Sequence, residues 1–123
     1  MSQASQFFPL QPLPPEVERS PRFSGLLEVH PLIDRPAPFA WRRLFHLYCE
    51  EDPTLDWKGA GFVLCTEAEL DQVHQRLDAF TDRANRDYAD HLESAAPDER
   101  FRLLNEGINH FSDEPGAHRI PFP

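Results

Sequence analysis

Lysine is all but missing from this chain of 123 residues: Lys58 stands alone, and Lys and Arg together number 12 against 21 Asp and Glu. The resulting formal charge of −9 argues against unaided contact with nucleic acid or an anionic lipid surface, both of which are held through clustered cations. A protein partner presenting a basic or an apolar patch is the easier match. Cysteine is scarce too. Cys49 and Cys65 form no CxxC pattern, which argues against a disulfide framework and against a structural zinc site. No apolar run approaches the ~20 residues that span a bilayer, so no membrane contact is expected. The first residues lack the basic start and unbroken apolar stretch of a secretory leader, because Pro9, Pro12, Pro14 and Pro15 intervene. A cytoplasmic protein with reduced thiols is the expectation.

Catalytic signatures are equally sparse. Gly59-Ala60-Gly61 lacks the third glycine of a phosphate loop. His46 and Cys49 lie three residues apart, but the adjoining Glu50, Glu51 and Asp52 raise a thiol pKa and disfavour a thiolate. His74 with Asp78 and Asp87 with His91 are helical i, i+4 pairs, and two ligands fall short of the three that a catalytic zinc requires. No cofactor, no metal and no catalytic residue are therefore expected. A pocket gathering His46, His74 or His91 with a carboxylate would be the first sign of an enzyme.

What the chain does have is a long amphipathic segment. Leu70, Val73, Leu77, Phe80, Ala84, Tyr88 and Leu92 recur at spacings of three and four, the period of one helical face. Asp71, Asp78, Asp82 and Glu93 fall on one flank of that stripe, and Arg76 and Arg83 on the other. Thr66 and Glu69 form a capping box at its start, with Cys65 and Leu70 as the hydrophobic staple. Along its polar side Asp82, Arg86 and Asp90 make an i, i+4 ladder, and Arg83 pairs with Asp87.

Upstream, Pro38 suits a first helical turn, and Trp41, Leu44, Phe45, Tyr48 and Cys49 follow on one face until Asp52-Pro53 ends it. Downstream, a further helix buries Phe101, Leu104, Ile108 and Phe111. The pattern predicts a mainly α fold with three principal helices, over 38–51, 66–94 and 97–111, and at most one short strand pair from 23–29 and 62–65.

Residues 1–22 read as a Pro-rich extended arm, 23–112 as a helical domain and 113–123 as an extended tail. The arm carries Phe7, Phe8, Leu10 and Leu13 between its prolines, more apolar surface than a solvated linker holds. It lies over its own domain or docks on a partner.

Together these features describe a small acidic, non-catalytic protein that binds and modulates or inhibits a protein partner. Asp71, Asp78, Asp82 and Glu93 would meet a basic surface, Phe7 and Phe8 would anchor the arm, and Phe80 or Tyr88 would centre a two-fold contact in a homodimer. The alternatives are a nucleic-acid mimic occupying a basic DNA- or RNA-binding surface, and a small enzyme.

Overall fold

Proline decides where the first strand can lie. A computed structural model describes residues 6–59, 61–108 and 116–121. In it Pro12–Arg19 forms an edge strand, β1, antiparallel to β2 (Leu27–Ile33). An edge strand tolerates prolines because one side of its backbone needs no ladder partner. Pro14 and Pro15 sit in a β-bulge, where the register slips by one residue between Leu13 and Glu16.

The central strand β2 has a proline of its own. On its second edge it pairs with β4 (Phe62–Cys65) through Leu27 to Val29 and with β5 (His118–Arg119) through Leu32 and Ile33. Pro31 therefore faces the bulge on one side and the junction of β4 and β5 on the other, so its missing N–H interrupts neither ladder. β3 (Asp56–Lys58) completes the sheet beyond β4, in the order β1-β2-β4-β3 with β5 beside β2.

The fold is thus α+β, a five-stranded antiparallel sheet with three helices, and the mainly α expectation is corrected. The anticipated strand pair exists as β2 and β4, in register Leu27↔Cys65 to Val29↔Val63, but it is the middle of a larger sheet. The segments set apart as arm and tail supply β1 and β5.

The helices are α1 (Phe39–Glu51), α2 (Leu70–Ser94) and α3 (Pro97–Asn105). The capping box forms: Thr66 donates its backbone N–H to Glu69 Oε1 at 2.9 Å, opening a single 3-10 turn before α2. α3 stops short of its expected end, because Glu106 turns extended and Gly107 takes a φ of +84°. That glycine backs onto α1: a Cβ there would lie 2.5 Å from Arg42 Nη2 and 2.8 Å from Phe39 Cβ. Phe39 N donates to Glu106 O at 2.7 Å and Arg42 Nη2 to Gly107 O at 3.2 Å, locking the end of α3 to the start of α1. Phe101, expected inside, is exposed, whereas Leu104 is buried. Phe111 falls outside the described residues.

The core lies between the helices and one sheet face, where Trp41, Phe45, Val29, Ile33, Val63, Leu77, Ala84 and Tyr88 are buried together. Asn85 closes it: its Oδ1 accepts from Leu10 N and from Trp41 Nε1, each at 3.0 Å, and its Nδ2 donates to Leu10 O at 2.8 Å. The N-terminal segment is thereby held on its own domain. Among the described residues no helix is long and apolar enough to cross a membrane.

Candidate functional site: a cleft walled by three helices

α1 buries Trp41, Phe45, Tyr48 and Cys49 against the core, which turns Ala40, Leu44 and Leu47 sideways. That second stripe meets Tyr88 and His91 of α2 and Glu99 and Leu103 of α3 around a cleft of about 580 Å³. Leu47 is 44% exposed on its wall, an apolar side chain that no described element covers. Tyr88 is wholly buried at the floor and donates its hydroxyl proton to Leu103 O, which fixes α3 against α2. Arg43, Glu50, His91 and Glu99 supply the polar groups.

The cleft does bring His46 and His91 together with Glu50 and Glu99. His46 is an element of packing: it is buried, its Nε2–H donates to Pro121 O at 3.1 Å, and its ring stands edge-on to Trp57 at 5.1 Å. Burial lowers its pKa, against the opposing pull of the Pro121 carbonyl and Glu50, so the ring is held neutral. The Glu99 carboxylate is gripped by Arg102, whose hydrogen bond lowers its pKa and keeps it ionised. Cys49 lies in the core, and desolvation first, then Asp52 and Glu50, push its thiol far up. Cys65 is shifted the same way by burial. The arrangement can enclose an apolar group and orient it by a few charges at the rim; it holds no activated thiol.

The residues singled out from sequence scatter around this cleft. Tyr88 is its floor and, wholly buried, offers no surface to a second copy. Phe80 is half-buried, 6.2 Å from the Tyr48 ring. Phe7 packs edge-on against Tyr88 at 4.7 Å, while Phe8 is 59% exposed.

Asp71, Asp82 and Glu93 are exposed and, among the described residues, make no ion pair; Asp78 lies 3.4 Å from His74. At 100° per residue these four carboxylates lie across the α2 axis from His91 and Ser94, so the acidic flank and the cleft are opposite sides of one helix. Arg76 and Arg83 are drawn to the α1 side, Arg76 to Asp52 at 3.0 Å and Arg83 over the Tyr48 ring at 4.0 Å.

Sequence reasoning missed Leu47, Ala40 and Leu103. The signal was present as a second apolar stripe at 40, 44 and 47, hidden beside the stronger aromatic one. It also missed a group of three potential metal ligands, Glu18, Glu28 and His30, on the sheet face turned away from the helices. No family model, curated protein or solved structure matches the chain.

Proposed function

We propose that this is a small acidic, non-catalytic binding protein whose cleft between α1, α2 and α3 receives an apolar segment of a partner protein, modulating the partner by occupying that segment. The observation that carries the reading is the apolar stripe along one wall, half-buried Ala40 and Leu44 running on to exposed Leu47, with Leu103 also lining the cleft of about 580 Å³. Spacing of i, i+4 and i+7 along one wall suits a segment that inserts side chains at helical intervals. Glu50 at the rim, within a chain of charge −9, favours an occupant with Lys or Arg beside its apolar anchors, Glu99 being already paired with Arg102. Asp71, Asp78, Asp82 and Glu93 act on this partner through the long-range field, speeding encounter without touching the docked segment.

A displayed library of random peptides selected on the protein tests the reading. Enriched peptides should pair spaced apolar residues with basic ones and perturb NMR signals of α1 and α3. They should lose at least tenfold in affinity to Leu47→Asp, about the 1.4 kcal/mol that one good apolar contact supplies. Leu47 is exposed, so that variant keeps its fold. Peptides that bind Leu47→Asp equally well, or a library from which no peptide is enriched, would overturn it.

One observation favours a second reading, a small enzyme: His46 and His91 share the cleft with Glu50 and Glu99. It requires His91 to work with Glu50 on a bound substrate, and turnover abolished by His91→Ala would establish it.

A further inference from the structure

The sheet face opposite the helices carries an unusual group. β2 alternates, so Val29 and Ile33 enter the core while Glu28 and His30 point the other way, where both are nonetheless buried. Buried carboxylates are costly unless paired or coordinated. Glu28 sits opposite Glu18 in the β1–β2 register, and Glu16 sits opposite His30, so three acids surround one imidazole. Glu16 is already committed to Arg119, which grips it through Nε at 2.9 Å.

Among the described residues His30 Nε2 is buried with no hydrogen-bond partner, and it is aimed between the other two acids, 3.3 Å from Glu18 Oε1 and 3.6 Å from Glu28 Oε1. All three donor atoms lie within 4.8 Å of one another. Two ligand atoms bound tetrahedrally at ~2.0–2.1 Å from a zinc-sized ion stand about 3.3–3.4 Å apart, close to the two separations observed here.

We propose that Glu18, Glu28 and His30 form a binding site for a divalent transition-metal ion of the zinc class, two carboxylates and one imidazole with a fourth position open to solvent. The local sequence prepares the ligands for it. Ser20 Oγ accepts from Arg22 N and Phe23 N in the turn after β1, which directs its own proton to Glu28 Oε2 at 3.0 Å and leaves Oε1 facing the imidazole. Such a partner outside the ligand set orients the carboxylate. Phe62 of β4 holds the His30 ring, with centroids 5.2 Å apart. Glu18 is 57% exposed, so an ion can enter from its side and exchangeable water can fill the remaining position. Imidazole with carboxylates suits zinc and its neighbours and excludes the all-oxygen preference of magnesium and calcium.

The full chain, stripped with chelator and titrated with zinc chloride, tests the site by calorimetry and by thermal denaturation. One saturable ion per chain and a raised melting temperature are expected. Glu18→Gln should weaken binding at least tenfold while leaving the metal-free protein as stable as before, since Glu18 is largely solvated. His30→Gln should abolish binding, and should it fail to fold, Glu18→Gln decides alone. His74→Ala, which removes a histidine–carboxylate contact on α2, should change nothing. Absence of saturable binding up to about 1 mM zinc, or binding that survives Glu18→Gln, would overturn the assignment. The site is separate from the helical cleft, so either conclusion can fail without the other.

Discussion

Replacing Asn85 by alanine should loosen the N-terminal segment from the helices while the sheet stays paired. The side chain makes three hydrogen bonds, two to the Leu10 backbone and one to the Trp41 indole. At about 1 kcal/mol net each, their loss alone would remove about 3 kcal/mol. Trp41 is fully buried, so its orphaned N–H adds a desolvation cost of about 1–3 kcal/mol, while water reaching Leu10 as the segment lifts returns part of the sum. A destabilisation of about 2–4 kcal/mol follows, a large part of the ~5–15 kcal/mol typical of a domain.

Urea denaturation gives the total, and amide exchange at Leu10 separates local lifting from global unfolding. Phe7→Ala, which strips the ring from Tyr88, should be costly on its own and less than additive with Asn85→Ala, because both release the same segment. Phe8→Ala should be near neutral. A loss below about 0.5 kcal/mol for Asn85→Ala, the level usual for surface changes, would refute the clamp and leave the segment held by other contacts.

Gly107→Ala should destabilise by more than the ~1 kcal/mol of its backbone conformation alone, since the new methyl group collides with Phe39 and Arg42; equal denaturation midpoints would contradict the geometry. Leu77→Ala should cost about 2–5 kcal/mol, given a side chain that is buried in the core, again by denaturation. Stability should also fall as pH drops below about 6.5. Burial lowers the folded pKa of His46, so the unfolded chain takes up the proton first; the contribution is whole above the ordinary value of 6.5 and is lost toward the folded pKa. Melting temperatures between pH 8 and 5.5 should show that slope flattened in His46→Gln.

Helices were legible in the sequence because their signals are local. The stripe from Leu70 to Leu92 and the Thr66–Glu69 box repeat within a few residues, and Asp52-Pro53 marks a stop by sterics alone. The sheet was not, because its signals point the wrong way until the partners are known. Pro12, Pro14 and Pro15 speak against a strand, and only an edge position with a bulge reconciles them with one. Glu28 and His30 broke the apolar pattern of β2, yet they are buried for reasons carried by Glu18 and Ser20, which no periodicity links to them. The cleft was half visible: Leu44 was marked as core, while Leu47 and Leu103 gain meaning only once α3 folds back beside α1.

The two-sided pairing of β2 has a consequence for the order of events in synthesis. Its second edge is filled by residues 62–65 and by residues 118–119, and the Arg119–Glu16 ion pair joins positions 103 apart in the chain. Closing so long a loop is entropically costly and slow. Until Arg119 has left the ribosome, Leu32 and Ile33 present bare backbone donors and acceptors, a template for another nascent strand. A shortened chain ending before residue 118 should therefore be recovered with its helices formed and its sheet prone to pair with copies of itself.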